Sequence, residues 1–256
     1  MKQLVVKNRE IGTGKPLICV PVMEKTREKI ITEITYLTGS SADMIEWRVD
    51  AFEAFLDYNA VREVLEAVSP VLGEKIFLYT FRTKKQGGEA QVDRETLNDL
   101  HDLAAESDCV DLIDIEYFEE DKPLRKIRRL QEKGVKVVAS HHDFEETPSV
   151  ETMRMLLEKM CVGGADVVKL AVMPQNGKDV LNLLEVTENF KRENADTPVI
   201  TMSMGKLGSI SRLCGETFGS CVTFGANKKC SAPGQYQMQD LAMILEAIHK
   251  SNENEI

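Results

Sequence analysis

Length, composition and charge exclude several kinds of protein. The chain has 256 residues, of which 43% are hydrophobic and 29% charged, the balance of a soluble globular enzyme. Its formal net charge of −10 argues against nucleic acid and acidic membranes as partners, so an anionic ligand would need local arginines. The longest apolar run, LICVPVM at 17–23, is too short to span a bilayer, and no secretory h-region precedes the first charges, which predicts a cytoplasmic protein.

Eight apolar, β-branched segments recur along the chain, with helical patterns between them. The candidate strands are LICVPV (17–22), DMIEWRV (43–49), KIFLYTF (75–81), CVDLIDIEYF (109–118), VKVVASHHDF (135–144), ADVVKLAVM (165–173), TPVITMSM (197–204) and SCVTFGA (220–226). Alternation of strands and helices predicts a parallel α/β sheet. Eight such units in about 250 residues predict a (β/α)8 TIM barrel rather than an open doubly wound sheet.

Nothing in the sequence divides this barrel. No linker, low-complexity run or composition shift occurs, so residues 1–256 are predicted to form one domain. The first sixteen residues alternate weakly around GTGKP and are predicted to form a hairpin that closes the barrel floor. The six cysteines form no CxxC pair and mostly lie within apolar runs, as reduced core cysteines do, so neither a disulfide nor a metal site is predicted.

One candidate strand carries a charge where an apolar residue is expected. ADVVKLAVMP (165–174) looks like a central strand with both faces covered, yet Lys169 stands in its middle. An unpaired buried ammonium group is costly, so the residue is either ion-paired or chemically employed. Taken alone, Lys169 fits a structural ion pair as well as a catalytic role.

Strand alternation places further ionisable side chains with it. If the apolar set of each strand packs on helices, the inward residues are Glu46 and Arg48, Arg82, Asp114 together with Glu116, His142, and Lys169 between Val167 and Ala171. His141 and His142 point to opposite faces, so they are not a chelating pair. Because barrel active sites lie where strands end in loops, these groups are expected to converge at one mouth.

Each inward residue also has an ordinary structural interpretation. Glu46 and Arg48 fit an interior salt bridge, His142 a satisfied core histidine, and Arg82 a solvated loop residue. Convergence at a single mouth favours a functional site, because independent structural features have no reason to meet there.

The ordered motifs resemble one enzyme family. EWRVD, TFRTKKQGGE, SHHDF, VVKLAVMPQN, ITMSMGKLGSISR, FGSCVTFGA and SAPGQ, in this order and spacing, are similar to type I 3-dehydroquinate dehydratases of the shikimate pathway. The resemblance covers nearly all of residues 17–248. It implies a (β/α)8 barrel, usually a homodimer, that dehydrates 3-dehydroquinate to 3-dehydroshikimate through a lysine Schiff base, with neither metal nor organic cofactor.

The resemblance also implies roles for single residues. Lys169 resembles the imine-forming lysine and His142 the general base and acid. The residues expected to bind substrate are Glu46, Arg48 and Arg82 at the ring hydroxyls, Arg212 at the carboxylate, and Ser231 and Gln235 in a closing loop. Met202, Met204 and Phe224 match apolar wall positions, for which plain barrel core is the alternative.

One position departs from the family pattern. Members often carry glutamate before the glycine pair that follows the F-R strand, hydrogen-bonded to the catalytic histidine, whereas this chain has Gln86. A glutamine carbonyl can still accept the ring N–H and orient it. Asp114 and Glu116 are the alternative partners of the histidine.

The chemistry explains why these residue types are needed. The reaction removes a proton beside a ketone and expels a hydroxyl from the next carbon, and a protonated imine supplies the electron sink. Lysine must be neutral to attack, which apolar surroundings and neighbouring Arg48, Arg82 or Arg212 would favour. One imidazole can serve both proton transfers if they occur on one face of the ring.

Three other functions remain open at this point. A class I aldolase-like barrel would share Lys169 and use GKLGSISR as a phosphate site, although an arginine suits a carboxylate better. A non-catalytic quinate- or shikimate-binding module is disfavoured by the presence of both Lys169 and His142. A structural scaffold is disfavoured by the interior charges.

Overall fold

The structure, a computed structural model, describes residues 4–228 and 230–253 and has the predicted (β/α)8 barrel. The strands are β1 Leu4–Val6, β2 Arg9–Ile11, β3 Leu17–Val22, β4 Met44–Arg48, β5 Ile76–Thr80, β6 Leu112–Glu116, β7 Lys136–His142, β8 Val167–Val172, β9 Val199–Ser203 and β10 Val222–Phe224. The helices are α1 Arg27–Thr38, α2 Tyr58–Val68, α3 Arg94–Ala105, α4 Pro123–Glu132, α5 Val150–Val162, α6 Gly177–Glu193, α7 Gly205–Gly208, α8 Gly215–Phe218 and α9 Met238–Glu253. None of these helices is long and apolar enough to cross a membrane.

The barrel is a closed ring of parallel strands. The sheet order is β10-β3-β4-β5-β6-β7-β8-β9, and the last gap is closed where Val199 pairs with Ser220 and its carbonyl accepts from Cys221 N at 2.9 Å. All eight strands lie within the segments that the sequence predicted. Closure leaves no free sheet edge.

Side chains alternate between two cores, as the sequence predicted. Trp47, Tyr79 and Leu170 lie in the outer core, between the strands and the helices. Val138 and Ala171 lie in the inner core, within the barrel. The charged residues alternate with the outward-facing residues along the same strands, so their side chains point into the barrel.

The N-terminal hairpin is present, but its turn is not where the sequence placed it. Val6 pairs with Arg9, so the turn is Lys7 and Asn8, and Lys7 has a positive φ of 52°. GTGKP instead connects β2 to β3. Lys7 Nζ donates to the carbonyls of Gly73 and Lys75, and this anchor holds a turn that would ordinarily use glycine. Val6 and Ile11 pack into the inner core at the N-terminal end of the barrel, which they close.

A repeated side-chain contact fixes this end of the barrel, here called the floor. Three aspartates, the floor carboxylates, stand just before alternate strands and accept a backbone N–H from the preceding strand. They are Asp43, Asp111 and Asp166, which accept from Ile18, Phe77 and Val137 at 2.9, 2.7 and 2.9 Å. Ser220 Oγ continues the pattern by accepting from Thr201 N at 3.0 Å. Each contact ties the start of one strand to its neighbour.

Candidate active site

The C-terminal ends of the strands surround a cavity of about 40 Å³. Every predicted site residue except Arg212 and Asp114 lines it. The lining is Glu46, Arg48, Arg82, Gln86, Gly87, His142, Phe144, Lys169, Ala171, Met202, Met204, Phe224, Ser231, Ala232 and Gln235. A larger groove of about 690 Å³, at the opposite end beside residues 12–14, contains none of the predicted site residues.

Lys169 projects from the middle of β8 into this cavity. It is 3% exposed, and its Nζ lies 3.3 Å from Asp114 Oδ2, 3.9 Å from Glu46 Oε1 and 4.4 Å from the Phe224 ring centre. The groups that contact the amine are therefore carboxylates and a phenyl ring. The arginines predicted beside it make other contacts: Arg48 and Arg82 pair with carboxylates, and Arg212 lies behind the cavity wall.

His142 ends β7 on the same cavity, and Gln86 fixes its tautomer. Gln86 Oε1 accepts from His142 N at 2.9 Å, so that atom is the carbonyl oxygen, and ring Nδ1 must be the donor in the 3.1 Å contact to it. The ring nitrogen Nε2 is then free to accept a proton. The predicted Gln86 contact is confirmed, and Asp114 and Glu116 are not the partners of this ring because they bind Arg82.

Electrostatics favour the neutral imidazole. Burial lowers the pKa of His142 well below its ordinary value, and the positive charges of Arg82, Lys169 and Arg48 lower it further. A neutral imidazole at pH 7 is a proton acceptor. His141 points the other way and packs against Phe118, so the two histidines form no chelate.

Arg82 lies under the cavity at the end of β5. Its Nη2 donates to Asp114 Oδ1 at 2.7 Å, while Nη1 donates to Glu116 Oε1 at 3.2 Å and to Ser140 Oγ at 3.0 Å. Burial acts against its charge, but Asp114 and Glu116 outweigh that effect and raise its pKa. The arginine is 3% exposed, so it is no solvated loop residue. Its first task here is to hold two buried carboxylates.

Glu46 and Arg48 do not form the interior salt bridge that was one interpretation of the EWR motif. Glu46 Oε1 instead accepts from Thr80 Oγ1 at 2.9 Å. Arg48 Nε and Nη2 each donate at 2.8 Å to the carboxylate of Asp50, which follows β4 in a short 3-10 turn. Both residues line the cavity.

Arg212 lies behind the cavity wall. Its Nη1 is 3.7 Å from Met202 Sδ, its Nη2 donates to Pro233 O at 3.2 Å, and its buried Nε has no hydrogen-bond partner among the described residues. Burial lowers the pKa of the guanidinium to about 10. Arg212 is 2% exposed. Within residues 4–228 and 230–253 no carboxylate contacts it, so this buried cation lacks an anionic partner there.

Residues 230–237, here called the lid, cover the cavity. Ser231 N donates to Gln235 Oε1 at 2.8 Å, and Gln235 Nε2 returns a bond to Ser231 Oγ at 2.9 Å. Pro233 O accepts from Gly205 N at 3.1 Å. Gly234 has φ +80°, and a Cβ there would lie 2.3 Å from Gly205 O. The lid therefore rests on α7 at Gly205, and at Gly234 this contact leaves no room for a side chain.

One part of the cavity wall is apolar. Met202, Met204 and Phe224 belong to the inner core and also line the cavity. Phe144 completes this wall, its ring stacked 6.5 Å from that of His142 at 20°.

Sequence reasoning missed several residues of the site. Thr80 and Ser140 occupy inward positions that alternation alone would have identified. Asp50 and Phe144 stand inside the quoted motifs EWRVD and SHHDF without an assigned role. No group of three or more His, Cys, Asp or Glu side chains in the described residues is arranged to hold a metal ion. All six cysteines are free thiols.

Comparison with known proteins agrees with this site. Residues 18–252 match the family described as Type I 3-dehydroquinase. The chain is 44% identical over 251 residues to the 3-dehydroquinate dehydratase of Clostridioides difficile strain 630, covering 98% of both chains. It is 45% identical to that of Listeria welshimeri, covering 98% of this chain and 99% of the relative.

Solved structures give the same result. The crystal structure of the type I enzyme from Clostridium difficile, solved with covalently modified comenic acid, superposes with a TM-score of 0.93 over 98% of this chain and 100% of that one. The enzyme of Geobacillus kaustophilus gives 0.93 at 35% identity, over 97% of each chain. The chain therefore belongs to the type I 3-dehydroquinase family, the hydro-lyases that dehydrate 3-dehydroquinate in the shikimate pathway.

Proposed function

We propose that this dehydratase acts through a Schiff base on Lys169, with His142 as general base and acid. The observation that carries the proposal is that a 3% exposed amine and a neutral imidazole line one small cavity. Neither group is needed by the apolar packing of the barrel. Both are the types that imine formation and proton transfer require.

The amine forms the imine. Nζ attacks the ketone carbon of 3-dehydroquinate, and the carbonyl oxygen leaves as water after two proton transfers. Asp114, 3.3 Å from Nζ, holds the amine in position for this attack and lies close enough to exchange a proton with it. The resulting iminium accepts the electron pair released in the next step.

The imidazole then carries out the elimination. His142 Nε2 takes the proton from the carbon beside the imine, giving an enamine, and returns it to the departing hydroxyl one carbon further on, which leaves as water. Hydrolysis of the imine releases 3-dehydroshikimate and regenerates Lys169. One base serves both transfers if they occur on one face of the substrate ring, and Gln86 binds the imidazole through Nδ1, which leaves Nε2 for them.

Substrate binding uses the remaining polar groups. Arg212 binds the carboxylate, since it is the cation of the mouth without an anion among the described residues and its fork is suited to bidentate contact. Met202, which separates it from the cavity, must shift for that contact to form. Glu46 and Arg48 bind ring hydroxyls, and Ser231 and Gln235 close over the ligand.

The lid must open for each turnover. A cavity of about 40 Å³ is far smaller than the roughly 300 to 1,000 Å³ of ordinary ligand pockets, so it does not admit the substrate as it stands. Closure then excludes bulk water, which strengthens the polar contacts and protects the imine.

The phosphate-site interpretation of GKLGSISR is not favoured. The hydroxyl of Ser211, which would bind such a group, donates to Gly208 O at 2.7 Å and accepts from Ser203 N at 2.9 Å. It is committed to holding the turn that positions Arg212.

Borohydride reduction tests the Schiff base. The protein is incubated with 3-dehydroquinate, reduced, digested and examined by mass spectrometry. We expect one adduct, on the peptide that contains Lys169, and none without substrate. An adduct on another lysine, or turnover without any trapped species, would contradict the proposal.

We further propose the homodimer that the family resemblance implies. Light scattering at several protein concentrations measures the mass directly. A mass near the 28.7 kDa of one chain at every concentration would exclude it.

A further inference from the structure

The carboxylate of Asp50 is buried just outside the cavity and collects four donors. Arg48 Nε and Nη2 donate to its two oxygens at 2.8 Å each, Arg82 N at 3.1 Å and Glu89 N at 2.9 Å. Its side chain is 0% exposed. Burial acts to raise the pKa of Asp50, but the hydrogen bonds and charge of Arg48 outweigh this, and the net effect is a lower pKa. The group is therefore ionised and cannot itself touch a ligand.

One pair of these bonds sets the direction of Arg48. A bidentate contact through Nε and Nη2 fixes the guanidinium plane as well as its position. Nη1 makes no hydrogen bond within the described part of the chain, and Arg48 lines the cavity. The donors left over are thus presented to a ligand in one orientation.

The other pair fixes the loop that carries Gln86. This loop, residues 82–90, is closed on itself, because Lys84 N donates to Ala90 O at 3.0 Å and Gly88 N to Thr83 O at 2.8 Å. Asp50 binds one N–H near each end of it. Gln86, in the middle, holds the catalytic ring through the contacts to His142.

We propose that Asp50 is a positioning residue that joins two functions of the site. It orients Arg48 toward the substrate hydroxyls, and through the 82–90 loop it holds Gln86, and so His142, in register with the substrate. This inference rests on the roles proposed above for Arg48 and His142. It assigns to Asp50 a contribution to KM through the arginine and a separate contribution to kcat through the loop.

Asp50→Asn is the first test. Asparagine has nearly the same shape as aspartate, but its NH2 group would face one of the N–H donors that the carboxylate now accepts from. We expect kcat/KM to fall about 10- to 100-fold, as for residues that orient ligands in metal sites, with changes in both KM and kcat. Borohydride trapping on Lys169 should persist. Loss of trapping in the wild type would instead refute the Schiff base itself, so the two failures are distinguishable.

A double-mutant comparison separates the contribution of Asp50 through Arg48 from its contribution through the 82–90 loop. In an Arg48→Ala background the KM effect of Asp50→Asn should disappear, while the kcat effect remains. The matched control is Asp166→Asn, a floor carboxylate that also accepts a strand N–H, and its KM and kcat should stay as in wild type. Fully additive effects, or kinetics of Asp50→Asn that match those of Asp166→Asn, would overturn the proposal.

The contribution through the 82–90 loop can be tested without changing the carboxylate of Asp50. Glu89 is exposed and contributes only its backbone N–H to Asp50. Glu89→Pro removes that donor, while Glu89→Gln keeps it. We expect Glu89→Pro to lower kcat several-fold with little change in KM, and Glu89→Gln to behave as wild type. This pair decides the question even if Asp50→Asn fails to fold, and equal kcat in the two variants would show that the loop contact does not orient His142.

Discussion

The two ends of the barrel use the same chemical group in opposite ways. At the floor, Asp43, Asp111 and Asp166 are 14–20% exposed and bind strand N–H groups together with cations that reach 24–42% exposure. At the mouth, four carboxylates are 0–4% exposed and bind cations that are 4–7% exposed. These mouth carboxylates are Glu46, Asp50, Asp114 and Glu116.

This difference separates stability from function. Half-exposed ion pairs contribute about 0 to 1 kcal/mol, so the floor carboxylates act mainly through their hydrogen bonds to the backbone. Removing one partner of a buried pair costs about 3 to 5 kcal/mol, because a charge is left uncompensated. The cations of these buried pairs line the cavity in which we propose that the substrate binds. Substitutions at the two ends should therefore have different consequences.

Lys169→Ala should have the largest effect. Turnover should fall by at least about four powers of ten, because the amine that we propose forms the imine is removed, while ligand still binds through the arginines. Steady-state rates and calorimetric titration with product measure the two quantities. Lys136→Ala, which removes a floor cation paired with Asp166 at 3.5 Å, is the control and should keep full activity. Comparable losses in both variants would break the distinction between mouth and floor.

His142→Ala should reduce elimination by about 10² to 10⁴-fold, the usual contribution of a general base or acid. Imine formation should survive, so the covalent complex accumulates and can be trapped by borohydride. The floor offers a contrast in His249, whose pKa is raised by its hydrogen bond to Glu216, and His249→Ala should leave the rate unchanged. Unaltered elimination in His142→Ala would make His142 a packing residue.

Arg212→Ala should act on binding. Truncating one partner of a desolvated charge pair costs about 2 to 5 kcal/mol, which is about 30- to 5,000-fold in KM. Arg212→Lys should restore only part, since an ammonium cannot make the bidentate contact. Arg9→Ala, at a floor arginine that already has Asp43 as its partner, should not change KM. Unchanged substrate affinity in both Arg212 variants would remove the carboxylate clamp from the proposal.

Gln86→Glu should give the smallest effect, a shift in the pH profile. Burial and nearby cations hold the pKa of His142 below its ordinary value of about 6.5, so in the wild type kcat/KM falls only at lower pH, where the base becomes protonated. A carboxylate at the ring N–H stabilises the imidazolium and raises that pKa, and the acidic limb should move to higher pH. Profiles from about pH 5 to 9 measure it.

Gln86→Ala is the companion variant. Without the carbonyl the ring loses its fixed tautomer, so kcat should fall while the limb moves little, because no charge is added. Identical profiles for wild type and both variants would show that the Gln86 contact has no catalytic role.

Strand alternation predicted which side chains enter the barrel, since a period of two leaves no other choice once the outer face is apolar. Alternation did not predict which partner each charged side chain would bind. Arg48 binds Asp50 rather than Glu46 because the chain turns after β4 and brings the later carboxylate back beside the guanidinium. The recess of Arg212 likewise depends on how α7 and the turn after it fold, which no local pattern encodes.

The hairpin shows a different limit. Glycine-rich GTGKP has the stronger turn propensity, yet the turn lies at Lys7 and Asn8, whose own propensity is weaker. The deciding contacts are tertiary, from the Lys7 amine to carbonyls near residue 75, 68 positions away. The contacts of the Lys7 amine therefore outweigh the local turn propensity, and a single sequence does not reveal such distant contacts.

The side-chain contacts at the floor divide the barrel into four clasped strand pairs, β3 with β4, β5 with β6, β7 with β8, and β9 with β10. The junctions between pairs have no such acceptor in the described part of the chain. A circular permutant opened at Gly134 cuts the connection between β6 and β7, a junction without such a contact, so the two strands of every clasped pair stay joined in sequence. One opened at Gly164 instead separates β7 and β8, which the Asp166 contact holds together. The floor thus sets where this barrel can be cut and rejoined, independently of the chemistry at its mouth.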